Sequence, residues 1–224
     1  MINTLQQLQD VPIKGVVFDM DGVLVDTSPC HSKAYEQLWY SLSISGPKYK
    51  TIAGRSTKEV VAEYAPHLDL EQQKNAIVFK QLAALELLKT TDISFMDTVT
   101  ALAKLSANKI PMVVATSASK ASAELALENA GLATFFSHII TSEDVERSKP
   151  APDLFLAAID ALGVPPAEVV IIEDSHSGIL AALASGAYTV AVREADKLEK
   201  CIAEQARYIG YFDNVADVVE QVLA

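Results

Sequence analysis

The chain has 224 residues, half of them hydrophobic, a formal net charge of -11 and two cysteines, Cys30 and Cys201. That length suits one larger domain carrying a small insertion. The acidic balance argues against a nucleic-acid partner, which calls for a basic stripe, and two distant thiols read as reduced cysteines, not as a disulfide framework or a zinc site. The opening MINTLQQLQD lacks the basic start and apolar block of a secretory signal, and no later run approaches the roughly 18 apolar residues of a membrane span. A cytoplasmic protein that engages neither membrane nor nucleic acid is therefore expected, as a monomer or weak homodimer. A phosphorylated ligand would be repelled by the surface as a whole, so any phosphate site must gather positive potential locally, from a metal ion, Lys or Arg, or helix N-termini.

The first element is Gly15-Val16-Val17-Phe18, a short apolar run of β-formers that stops at Asp19. From about Ser28 to Thr91 the pattern changes: His31 to Leu42 and Ser56 to Leu88 carry apolar residues at helical spacing, with almost no strand-like run. This predicts an all-helical domain at 28–91, inserted into an α/β core at 1–27 and 92–224, and placed to cover the ends of the core strands. The strand design then recurs at Pro111–Ala115, ending in Thr116-Ser117, and at Val169–Ile172, ending in Glu173-Asp174. Each is followed by a helical stretch closed by glycine, Ala121 to Ala130 before Gly131 and Ser177 to Ser185 before Gly186. Thr189–Val192 is a further strand, and the tail from Tyr208 reads as a last strand and an amphipathic helix, Asp213 to Leu223. Strands alternating with helices imply a doubly wound, Rossmann-like parallel sheet, in which ligands bind beyond the carboxyl ends of the strands. All the polar strand-end residues would meet there.

Asp19 and Asp21 straddle the end of the first strand, with Gly22 allowing a sharp turn. Elsewhere a D-x-D pair would be a solvated pair of no consequence. Here Asp19, Asp21, Glu173 and Asp174 would converge, and like charges a few ångströms apart are strongly unfavourable without a cation. An all-oxygen donor set suits Mg2+, which commonly bridges to phosphate.

Four motifs in order, Asp19-Met20-Asp21-Gly22, Thr116, Lys149 within Ser148-Lys149-Pro150-Ala151-Pro152-Asp153, and Glu173-Asp174-Ser175, give the chain a resemblance to the haloacid dehalogenase superfamily over nearly its whole length. Asp26-Thr27 followed by His31, and the wording of the Lys149 loop, resemble the branch of β-phosphoglucomutase and sugar-phosphate phosphatases. The resemblance implies a helical cap after the first motif and an aspartyl-phosphate mechanism on a small phosphorylated metabolite. Asp19 would be the nucleophile, and Asp21 the acid that protonates the leaving oxygen and later activates water. Members that cleave carbon–halogen or carbon–phosphorus bonds generally lack the second carboxylate, so Asp21 favours phosphate esters.

The metal would be held by Asp19, the Asp21 carbonyl and Asp174, with Glu173 as a further ligand or as an orienting group. Thr116, Ser117 and Lys149 would hold the phosphoryl oxygens. Taken alone, Thr116 is an ordinary turn residue and Lys149 ordinary surface charge; the company of the other motifs reverses both readings. In the cap, His31, Arg55 in Ala53-Gly54-Arg55-Ser56, and Lys74 are candidates for holding the rest of the substrate, with solvated charge as the plain alternative. His67, His138 and His176 show no metal-like spacing, although His176 could line the site.

Two departures from the branch stand out. Thr57 occupies the position of an arginine that grips a second phosphate, and Phe95-Met96-Asp97 replaces a proline–glycine pair. A phosphatase is the expected activity, with a phosphomutase on the same intermediate and a non-catalytic binding protein on the same fold as the alternatives.

Overall fold

The computed structural model describes residues 13–52, 55–193 and 204–224; Cys201 and the Ala53-Gly54 pair of the cap loop lie outside the described residues. The chain divides into two compact units, one of Met1–Asp26 with Ser94–Ala224 and one of Thr27–Ile93.

The larger unit is built on six strands, β1 (Gly15–Phe18), β2 (Met112–Ala115), β3 (His138–Ile140), β4 (Val169–Glu173), β5 (Tyr188–Val192) and β6 (Tyr208–Phe212). They form one sheet in the order β3-β2-β1-β4-β5-β6, with every neighbouring pair parallel. β1 is central because all four of its residues are apolar or glycine and all four are buried. The chain runs outward from β1 through β2 to β3 on one side, then crosses from β3 back to β4 and runs outward through β5 to β6 on the other. This reversal opens a crevice at the carboxyl ends of β1, β2 and β4. One face of the sheet packs on the helix Asp153–Leu162, which presents Leu154, Phe155, Ala158 and Ile159 at helical spacing to Val17, Val113, Ala115 and Ile171. Truncating the fully buried Phe155 to alanine would cost about 3–5 kcal/mol.

The smaller unit contains α1 (Ser28–Ser41), α2 (Thr57–Tyr64) and α3 (Leu70–Leu88); α4 (Thr98–Ala107), α5 (Lys120–Asn129), α6 (Asp153–Leu162), α7 (His176–Ala184) and α8 (Val215–Leu223) belong to the larger one. α2 and α3 each start with a capping box, on Ser56 with Glu59 and on Asp69 with Gln72. The small core joins Tyr35, Leu38 and Trp39 of α1 to Ile52, to Val60 and Val61 of α2, and to Ala76 of α3. Trp39 stacks on Tyr35 with ring centroids 5.6 Å apart. Among the described residues, no helix is long and apolar enough to cross a membrane.

Candidate active site

The carboxyl ends of β1, β2 and β4 bring Asp19, Thr116, Glu173 and Asp174 to one edge of the sheet. Lys149 reaches the same place from the loop before α6. Its ammonium lies 2.5 Å from Asp19 Oδ1, 2.7 Å from Glu173 Oε1 and 3.5 Å from the Ala115 carbonyl, so one acceptor at each of three strand ends takes one of its three donors. The Phe155 ring lies 4.8 Å from the ammonium. Side-chain exposure is 7% for Lys149, 9% for Asp19 and 1% for Glu173, which makes this a desolvated cluster and not a surface ion pair.

Electrostatics follow from that burial. Desolvation by itself would lower the Lys149 ammonium, but Asp19 and Glu173 outweigh it and hold the group protonated, above its ordinary range. The Asp19 carboxyl is pushed well up by burial, with Lys149 opposing and Glu173, Asp174 and Asp21 adding to the rise. Burial and then Glu173 push Asp174 up to about 7.

Glu173 is committed on both oxygens. Oε1 takes Lys149, while Oε2 accepts from the Asp174 and Ser175 N–H groups at 2.8 Å and from the Ser175 hydroxyl at 3.0 Å. Ser175 in turn caps α7 by accepting from Gly178 N–H. The carboxylate fits against that helix only because residue 178 is glycine, since a Cβ there would lie 1.7 Å from Glu173 Oε1. Gly22 plays the same part for Asp174: it has φ +83°, and a Cβ on it would lie 1.9 Å from Asp174 Oδ2. The Asp174 carboxylate therefore rests against the turn that carries Asp19 and Asp21. Asp21 is half-buried on that turn. Thr116 is buried, and its hydroxyl accepts from Ala118 N–H at 3.1 Å while keeping a hydrogen to donate. Ser117 is exposed beside it, and His176 is exposed at the first position of α7.

The smaller unit holds His31, Arg55 and Lys74. Arg55 is exposed and pairs with Glu63 at 2.5 Å, and Lys74 is exposed on α3. His31 sits near the start of α1, stacked on Tyr49, with Nδ1 3.0 Å from the Lys80 ammonium. Burial, then Lys80, press its pKa down to about 3, so the ring is neutral, Nδ1 accepts from Lys80 and Nε2 carries the hydrogen. Lys80 is itself buried and lies 4.7 Å over the Tyr35 ring. Reading the sequence missed this lysine. The signal was there: Ala76, Lys80, Ala84 and Leu88 make one buried stripe along α3, and a lysine on such a stripe needs a reason. Tyr35, whose hydroxyl bonds to Thr57, belongs to the same cluster.

Among the described residues, no three His, Cys, Asp or Glu side chains are gathered as a ready metal cage. Mg2+ does not need one, since it takes one or two carboxylates and completes its shell with waters and substrate phosphate. The mutual crowding of Asp19 and Asp174 is what a dication of this kind relieves.

Residues 13–186 match the family model described as haloacid dehalogenase-like hydrolase. The chain is 31% identical over 189 residues to the fructose-1-phosphate phosphatase YqaB of Escherichia coli, covering 80% of this chain and 96% of that protein. It is 30% identical over 181 residues to hexitol phosphatase A of the same organism, covering 80% of this chain and 82% of the relative. Among solved structures, β-phosphoglucomutase of Clostridium difficile superposes with a TM-score of 0.76 at 21% identity, covering 94% of this chain and 97% of that one.

Proposed function

Because the chain belongs to the haloacid dehalogenase-like hydrolases, we propose that it is a Mg2+-dependent phosphatase of a small phosphorylated metabolite, a sugar phosphate, acting through an aspartyl-phosphate on Asp19. The observation that carries this reading is the Lys149 ammonium held between Asp19 and Glu173 at the ends of β1, β2 and β4, with Asp174 against the Asp19–Gly22 turn. The names of the two Escherichia coli relatives support a polyhydroxylated substrate.

In this reading a carboxylate oxygen of Asp19 attacks phosphorus, the ester P–O bond breaks, and Asp21 gives its proton to the departing alkoxide. Asp21, now ionised, takes a proton from water as that water attacks the phosphoryl group, and the Asp19–phosphorus bond breaks to release phosphate. Lys149 holds Asp19 in place and balances charge on the transferred oxygens, and Thr116 and Ser117 donate to them. Asp19, the Asp21 carbonyl and Asp174 would hold Mg2+, which when bound supplies the positive charge that lets a phosphate dianion approach this acidic edge. With both its oxygens engaged, Glu173 fits the orienting role better than that of a ligand. We assign to His31, Arg55 and Lys74 of the smaller unit, with Lys80 beside His31, the reading of the non-reacting part of the substrate.

The test is a screen of phosphorylated metabolites for phosphate release, with and without chelator, with isomerised product followed in parallel. Hydrolysis of one or a few sugar phosphates, lost on chelation and lost entirely in Asp19→Asn, is the expected result. Asp21→Asn should slow turnover by about 10²–10⁴-fold. Appreciable turnover in Asp19→Asn would remove the nucleophile assignment, and transfer back to substrate in place of release would make the protein a mutase.

A further inference from the structure

Phe95-Met96-Asp97, where the chain departs from its branch, lies immediately after the return from the smaller unit. The guanidinium carbon of Arg193, the residue that follows β5, lies 3.5 Å from the centroid of the Phe95 ring. Arg193 Nη2 also donates to the two Asp97 carboxylate oxygens at 3.2 and 3.4 Å, and Asp97 Oδ2 accepts from the Val215 N–H of α8 at 3.2 Å. Arg193 is held in turn, its N–H donating to the Phe212 carbonyl at 3.3 Å and its carbonyl accepting from the Tyr211 hydroxyl at 2.6 Å. It stands at φ +58°, a left-handed conformation uncommon for residues other than glycine.

From this clamp a short path leads to the chemistry. Ser94, next to Phe95, forms an antiparallel bridge with Val25, and Val25 forms a parallel bridge with Asp21. Gly22 N–H donates to the Val25 carbonyl at 2.8 Å and Val25 N–H to the Met20 carbonyl at 3.1 Å. The turn that carries Asp21 thus leans on Val25, Val25 on Ser94, and Ser94 on the residues that Arg193 grips. We infer that Arg193 is a positioning residue for the proton-donating step: clamped on Phe95 and Asp97, it fixes the Ser94–Val25 bridge and through it the placement of Asp21. The inference rests on the proposed role of Asp21 as acid, and its test separates the two.

General-acid help matters for an alkoxide leaving group and little for p-nitrophenolate. The quantity to measure is therefore kcat/KM, which reports the first phosphoryl transfer, on benzyl phosphate relative to p-nitrophenyl phosphate with Mg2+ present. Asp21→Asn sets the scale, with an expected fall in that ratio of about 10²-fold. Arg193→Ala should lower it about 10-fold, because a misplaced acid loses much of its effect. Arg193→Lys, which keeps the charge but not the planar stack, should fall between wild type and Arg193→Ala. If Arg193→Ala does not fold, Asp97→Asn serves instead, since it retains an acceptor for Val215 N–H while losing the ion pair. An equal loss on both esters, tracking a lowered unfolding temperature, would make the clamp purely structural and overturn the inference. An unchanged ratio in Asp21→Asn would instead overturn the acid assignment, and this inference with it.

Discussion

Among the described residues two lysines have buried side chains, Lys149 and Lys80, and the two units hold them by different means. Lys149 in the larger unit is neutralised by carboxylates at 2.5 and 2.7 Å. Lys80 in the smaller unit lies against an imidazole nitrogen at 3.0 Å and the face of a tyrosine at 4.7 Å. The first arrangement joins the ends of three strands into one charged cluster that tolerates little change. The second places a cation against a neutral imidazole and the face of an aromatic ring.

Breaking the first should have the larger effect. Lys149→Met leaves Asp19 and Glu173 crowded and uncompensated, with an expected loss of about 3–5 kcal/mol in urea unfolding and no measurable turnover. Adding Glu173→Gln should recover much of that stability without recovering turnover, because Asp19 still lacks its partner; recovery of both would mean that Lys149 serves the fold alone.

Next in size is the acid limb of stability in the smaller unit. In the unfolded chain His31 takes a proton near its ordinary 6.5, whereas folded it resists until about 3. The unfolded state therefore binds more protons between those values, and stability falls as pH drops through that window, by on the order of a few kcal/mol. His31→Gln, which still offers Lys80 an acceptor, should flatten that slope in unfolding curves measured from pH 7 to pH 4. A slope unchanged in the variant would assign the effect to other groups.

Lys80→Met should give a subtler result. Burial is the larger cause of the low His31 value and Lys80 the smaller, so the imidazole should titrate higher in the variant but still below 6.5, as read from its NMR signals. The smallest change in stability is expected for Arg55→Ala and Lys74→Ala, both exposed, whose unfolding temperatures should match wild type. Their kcat/KM should fall for the preferred sugar phosphate and hold for p-nitrophenyl phosphate; equal falls on both would withdraw them from substrate reading.

How much of this could be read from residues alone depended on burial. β1, β2, β4 and β5 are near-continuous apolar runs because helices cover both faces, and such runs stand out in a sequence. β3 escaped notice: His138-Ile139-Ile140 is three residues long, partly exposed and at the sheet edge, so it lacks an apolar signature. Asp19, Thr116, Lys149 and Glu173 were nameable because each ends or follows a strong local pattern. Lys80 and Arg193 were not, because what distinguishes them is a partner far away in sequence, His31 in one case and Phe95 with Asp97 in the other. The division of labour between the oxygens of Glu173 was equally beyond reach, since it depends on hydrogen-bond geometry around Ser175 and Lys149.

Trp39 is the only tryptophan in the chain, and it is stacked within the core of the smaller unit. Emission excited at the red edge of the absorption band therefore comes from that unit alone. A denaturation curve followed this way reports the melting of Thr27–Ile93, whereas circular dichroism weighs all the helices and strands together. If the two optical signals give different midpoints, the units unfold separately, and a single free energy would not describe the protein.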